Sequence, residues 1–538
     1  VSSSAGTRTY RWNDAGLIDQ VVAADGVVEL VNTYDDQGRV TRQLTPYGRS
    51  VRFAYLRGRV TSVSTDDGTG ANTWIADRKG RVVGIIDSDG NRQSMAYDPH
   101  GNIVSATARD GEVTVHAYDD RGRKIRTVTP DGADITCGYD DQDRVTTVVT
   151  AAGGVIEYEY EFITDRNPSI IIDPSGGRSQ LTWENGLLTR VVDPEGVTVS
   201  LEYNTYGELI AVTNANGDTA RYIRDAAGRI IQAVTPSGHT TQLTYSEAGQ
   251  PLTRQDPDGA IWRFESGAGG RLVAVIDPEG HRTELEHGSH GGITAITDPL
   301  GRVTRQDYDE FGNLSAITLP DGDSWALTHD ALSRLREVTD PAGATWTYNY
   351  DVTGELTAAI DPTGVRTDIT HLRSANVSTI QNASEQLTLQ TDEYGRVVKT
   401  QQTDGSAELI SYDAAGRPVE LVDANGGLTK VEYDLAGRIT AITSPEHRTV
   451  RYEYDACGRP AVAIDPTGAR TTLSYDADSR VIARISPTGE TSTIEYDAAG
   501  RVTRETIPGV GVASYRYDKL GRLIAVRDSR YGHRRFRY

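Results

Sequence analysis

Polar and apolar residues alternate along most of this chain. Leu356-x-Ala358-x-Ile360 and Val481-x-Ala483-x-Ile485 put every second side chain on one face. Val431-Glu-Tyr433, Tyr452-Glu-Tyr454 and Ile494-Glu-Tyr496 do the same on the return. Period two is the signature of a half-buried strand, and the helical period never emerges. Two turn signals punctuate the alternation. In Y-D-x-x-G-R the Asp carboxylate can fold onto nearby amides and Gly supplies a positive φ. In D-P-x-G, as at Asp193, Asp277, Asp340, Asp361 and Asp465, Pro pre-sets φ and Gly closes the turn. The sequence therefore predicts short strands joined by tight turns, an all-β chain.

The alternation is also periodic on a longer scale. Tyr412, Tyr433, Tyr454, Tyr475, Tyr496 and Tyr517 each stand 21 residues from the next. The same register carries Tyr34, Tyr97, Tyr118 and Tyr308, with slipped units near Trp183 and Thr391. Residues 1–538 thus read as a single array of about 25 units, which must be interpreted as one object. A lone two-stranded hairpin is marginal in water, so successive units are expected to pair strand to strand. The recurring residues are structural anchors: the tyrosines, then Asp413, Asp434 and Asp497, Gly416, Gly437 and Gly500, and Arg417, Arg438 and Arg501. The tyrosines are expected to form a ring-against-ring ladder with their hydroxyls at the wet edge. Each Arg is expected to reach the Asp of a neighbouring unit.

Composition changes the picture in one respect. Apolar residues make up only 37% of the chain, with 5 Phe and 1 Met against 55 Gly. That is thin material for a solid core, so the array is either slender or a wall around space. A net charge of -21 argues against a nucleic-acid surface. No apolar run is long enough to span a membrane as a helix. The beginning and end both read as cut from something longer, with no separate toxin or anchor domain visible. Cys137 and Cys457 make no disulfide framework and no zinc spacing.

The alternation of Y-D-x-x-G-R with D-P-x-G at this period resembles the YD repeats of Rhs proteins, over nearly all of the chain. The resemblance implies a continuous spiralling antiparallel β-ribbon that closes into a hollow shell or barrel. In bacterial Rhs polymorphic toxins and insecticidal toxin complexes, such a shell encloses a C-terminal toxin; teneurins share the architecture as adhesion receptors. The implied function is encapsulation of an effector domain of the same polypeptide beyond this fragment, behind polar inner rows. A secretion or delivery apparatus is the implied further partner, and the implied location is secreted or cell-surface. The alternative is an extracellular adhesion or carbohydrate-binding protein. Nothing here matches the family's D-P-x-G-L self-cleaving segment or its N-terminal plug. Twenty-five two-stranded units make a ribbon roughly 240 Å long, whose area would wrap a sphere of about 16 Å internal radius. A compact 100-residue domain has a radius of about 17 Å.

Chemistry-bearing clusters reduce to the repeat. His281, His287 and His290 lie close in sequence, but His287, like His329 and His371, occupies the anchor position. An aromatic stand-in is the simpler reading than a metal ligand set. Asp87, Asp423 and Asp67 open turns that superficially suggest calcium loops, without the downstream acid such loops need. The Asp residues are periodic turn features, and no nucleophile elbow, H-E-x-x-H or P-loop is present. No catalytic residue, cofactor or metal is expected. The units at 160–183 and near Thr391 are expected to be bulges or longer hairpin tips, with a contact to cargo or partner as the alternative.

Overall fold

The computed structural model describes residues 2–3, 6–65, 72–372 and 376–538; the turn at Asp67 lies outside them. From Thr9–Trp12 to Gly532–Arg535, each strand pairs antiparallel with the next in sequence. The result is one continuous meander. Among the described residues each strand of this sheet pairs only with its neighbours in sequence, so no hydrogen-bonded ladder joins the last strand to the first. The only helical element described is a single turn, Ala268–Gly270.

Cross-strand partners share a face, and this assigns the two surfaces. Val431, Ile442 and Val450 lie in one row, while Glu432, Ala441 and Arg451 lie on the opposite face. The pattern recurs: one surface is aliphatic and aromatic, the other charged. Ion pairs cross the charged surface, as between Arg470 and Glu453 (2.6 Å), Lys430 and Glu420 (3.0 Å), and Arg282 and Glu265 (2.8 Å).

There is almost no core. Among the described residues the buried apolar ones are alanines and valines such as Ala211, Ala274, Ala358 and Ala441, and no large side chain is fully buried. The accessible surface is 30596 Å². A compact protein of this mass would expose about 19,000 Å². The excess is what a single-layer sheet with two wetted faces produces.

Candidate functional site

The sequence points to a wall rather than a pocket, so the candidate site is what seals that wall. Each repeat supplies two turns with one hydrogen-bond design. In the first, the Asp413 amide donates to the Arg417 carbonyl, and the Ala415 and Arg417 amides donate to Asp413 Oδ1. In the second, the Asp423 amide donates to the Gly427 carbonyl, and the Asn425 and Gly427 amides donate to Asp423 Oδ1. Gly416 and Gly426 both sit at φ 83°, a region that an L side chain enters at a cost. Asp87 and Asp423 are thereby turn formers, with amide donors on their carboxylates. Among the described residues no group of three or more His, Cys, Asp or Glu is placed to hold a metal ion.

The structure corrects the expected roles of Arg and Tyr. Each Arg pairs with the Asp of its own unit: Arg417 Nε to Asp413, Arg438 Nε to Asp434 and Arg501 Nε to Asp497, each at 2.7 Å. The link to the next unit runs through other atoms. Arg417 Nη1 donates to the Asp434 carbonyl at 3.2 Å, and the guanidinium lies 4.8 Å over the Tyr433 ring. Arg438 covers Tyr454 and Arg501 covers Tyr517 in the same way. The ladder therefore alternates guanidinium and ring instead of stacking ring on ring. Intercalated cations add a cation–π attraction to the packing.

The tyrosine hydroxyls are not at a wet edge either. Tyr454 donates to the Ile439 carbonyl (2.7 Å), Tyr433 to Pro418, Tyr412 to Val397, Tyr496 to Val481 and Tyr517 to Val502. Tyr97, Tyr118 and Tyr308 reach Val82, Ile103 and Ile293, and Tyr34 reaches Ile18. The acceptor sits at a β-bulge. Tyr412 pairs with Pro418 across a register shift, and the next anchor, Tyr433, takes the Pro418 carbonyl. Four substitutes do the same job. Trp183 Nε1, Arg224 Nε and Thr391 Oγ1 donate to the carbonyl 15 residues upstream, and His287 Nε2 makes that contact too. His371 departs: its strand pairs without a bulge, and its Nδ1 contacts Ser378.

Sequence reasoning missed the feature that turns a ribbon into a wall. Turns of the D-P-x-G class meet Y-D-x-x-G-R turns about 243 residues further on. Arg501 bonds Asp258 (2.8 Å) and Arg522 bonds Glu279 (2.9 Å), both 243 residues apart. The Leu435 amide donates to Glu195, and Arg271 bonds Asp25. Asp478 accepts from the Ser237 amide and the Thr235 hydroxyl. Tyr47 stacks on His290 at 4.5 Å, and Arg49 lies over Phe311. Elsewhere backbone meets backbone: a Cβ at Gly177 would stand 2.4 Å from the Leu435 carbonyl, and one at Gly154 2.6 Å from the Ala414 carbonyl. The ribbon thus winds about twice, and successive windings touch along a seam of turns.

The two irregular units belong to this seam's bookkeeping. Tyr160 to Tyr203 takes 43 residues for two repeats, and His371 to Tyr412 takes 41, against the regular 42. Together they shift the contact separation by two, from 245 at Asn376 and Asp131 to 243 at Arg438 and Glu195 and beyond. A cavity of about 810 Å³ also lies in the seam, between Tyr222, Ala233 and Trp262 on one winding and Asp478, Gly500 and Arg501 on the next.

Cys137 and Cys457 are free thiols.

The RHS Repeat family model matches residues 77–113, 97–134, 183–219, 203–240, 224–261, 289–324, 329–366 and 495–532, and the Teneurin YD-shell family model matches 368–495. Among solved structures, TcdB2-TccC3-Cdc42 is similar at TM-score 0.66 and 12% identity, covering 96% of this chain and 40% of that one. TcdB2-TccC3-TEV follows at 0.62 and 13%, covering 97% and 39%. TcdB2-TccC3 matches at 0.56 and 14%, covering 97% and 38%. This chain therefore spans about 40% of the length of the structures it resembles. No curated protein matches it. The repeat, the bulged Tyr anchors and the winding agree with these matches, and the chain belongs to the Rhs repeat and YD-shell family.

Proposed function

We propose that this chain is the wall of a container that sequesters an effector domain of the same polypeptide until delivery. The observation that carries the reading is the seam: a single-layer ribbon seals against itself one winding later and so encloses space. The separation of 243 residues sets the size. At two strands per 21 residues and 4.8 Å per strand, one winding has a perimeter of about 110 Å and a radius of about 18 Å. Half a wall thickness leaves about 13 Å of clear radius, narrower than the 16 Å expected from ribbon area alone.

The aliphatic and aromatic face is proposed to line the lumen, the reverse of the polar inner rows that the sequence led us to expect. Trp325 and Trp346 support this. Both lie on that face two strands apart, and their rings converge to 6.4 Å. Second-neighbour strands are about 9.6 Å apart in a flat sheet. The charged face then meets solvent. No step in this mechanism needs a catalytic group in the wall, and a structural, non-enzymatic role is part of the proposal. A secreted or surface setting and a delivery apparatus as partner fit the same reading.

Limited proteolysis of the natural polypeptide tests it. The account expects any domain following the repeats to resist cleavage while the wall is intact and to be degraded once mild denaturant opens it. Equal cleavage in both conditions would overturn sequestration and favour the adhesion reading.

A further inference from the structure

We propose that Tyr47, seated in the slot left by Gly292, is the register key that decides which repeat sits above which, and thereby fixes the bore of the shell. The ion-pair stitches cannot make that choice. Asp258 takes Arg501, but Arg480 and Arg522 stand one repeat to either side in the same turn class. A slip by 21 residues would offer Asp258 an equivalent partner. In sheets, register is specified only where side-chain patterns are not interchangeable. A repeat array faces the same ambiguity between its windings.

Tyr47 is not interchangeable. Along the second winding, the residue after the positive-φ turn position (Gly270, Gly291, Gly312, Ser333) is Arg271, then Gly292, Asn313 and Arg334. Where Arg stands, its guanidinium covers the next anchor ring, as Arg334 covers Tyr350. Gly292 leaves the ring of Tyr308 without that cover. Tyr47 from the first winding approaches it instead, with ring centroids 5.8 Å apart, and His290 packs edge-on to Tyr308 at 5.2 Å. The fit is close. A Cβ at Gly312 would lie 3.0 Å from the Tyr47 ring, and one at Gly292 3.1 Å from its hydroxyl. One repeat earlier, the Gly292 position is Arg271, already committed to Asp25 and the Gly291 carbonyl. One repeat later it is Asn313, bonded to Asp309. Neither neighbour offers an empty slot.

The consequence is dimensional. Slipping one repeat adds or removes two strands from a winding, changing its perimeter by about 9.6 Å and its radius by about 1.5 Å. A key at one point of the seam therefore sets the lumen along its whole length.

Disulfide mapping tests this in the chain with Cys137→Ser and Cys457→Ser. Three reporter pairs are made: Asp258→Cys with Arg501→Cys, and Asp258→Cys with Arg480→Cys or Arg522→Cys. With the key intact, oxidation is expected to link only the 258/501 pair. Gly292→Arg restores the ordinary repeat residue and evicts Tyr47; Tyr47→Ala removes the plug without touching the slot. Either is expected to raise the off-register cross-links at least tenfold. If 258/501 remains the sole cross-link in both variants, Tyr47 is a local contact and the proposal is wrong. Tyr47→Phe, which keeps the ring, is expected to retain the parent pattern; slippage there would also count against a key based on ring stacking.

Discussion

Turns of one design meet two fates in this molecule. On one edge of the ribbon, those from the turn at Asp25 to the one at Glu279 lie under the winding that follows. Those on the same edge from Asp298 onward form a rim. Along the seam, third-position residues can reach outward: Asp25, Glu195, Asp258 and Glu279 bond residues of the next winding, while Ser175 still donates to its own Asp173. Along the rim they turn back on their own loop. Thr363 and Thr467 donate their hydroxyls to Asp361 and Asp465 at 2.6 Å, and Ser444 donates to Glu446. The fifth position differs too: Gly177 lies under a carbonyl, whereas its rim counterpart Val365 is 44% exposed. The lesson is that the repeat motif makes the turn, while the variable positions decide whether that turn is glued to anything.

This contrast yields graded expectations. The largest effect belongs to the seam's close approach. Gly177→Val should cost about 2–3 kcal/mol by overpacking, whereas Val365→Gly on the rim should cost under about 1 kcal/mol. Chemical denaturation of both variants checks the asymmetry. Next comes the anchor hydroxyl, which serves both regions equally. Tyr454→Phe frees the Ile439 carbonyl and should cost about 1 kcal/mol, wherever along the array such a change is made. Smaller still is a stitch. A double-mutant cycle on Glu279 and Arg522 should give a small favourable coupling that shrinks with added salt. Glu446→Ala on the rim should leave stability nearly unchanged.

Acid should not separate the regions. On the seam, burial pushes the Asp25 carboxyl up, but Arg271 and the Val27 amide together hold it below the usual range. On the rim, the Thr363 and Thr467 hydroxyls hold Asp361 and Asp465 low. A carboxylate whose folded value is depressed gives its full stabilisation above the unfolded value and loses it as pH falls through the folded one. Both regions should therefore weaken only below about pH 4. Hydrogen exchange at pH 7 and pH 3 checks this, with salt, not acid, expected to distinguish seam from rim.

The sequence made the strands, the turns, the single array and the family legible, because these rest on local chemistry repeated many times. It misled on the ladder. Tyr, Asp and Arg at fixed spacing suggested that Arg would pair with a neighbouring Asp, yet Arg417 finds its own Asp413 four residues back at no cost in long-range order. The hydroxyl's destination depended on a bulge whose register shift no local pattern announces. The seam was invisible for a different reason. Contacts 243 residues apart follow from the accumulated curvature of many strands, and no single repeat encodes that. One signal was readable in retrospect: Gly292 stands where most repeats carry Arg, in a run already conspicuous for its histidines.

The central claim is that the ribbon winds about twice on itself and is sealed edge to edge. Small-angle X-ray scattering of the chain in solution tests it most directly. The account predicts a hollow particle with a longest dimension of about 60–70 Å, from two stacked strand heights and a diameter near 36 Å plus side chains. A particle approaching the roughly 240 Å of an unwound ribbon would contradict it.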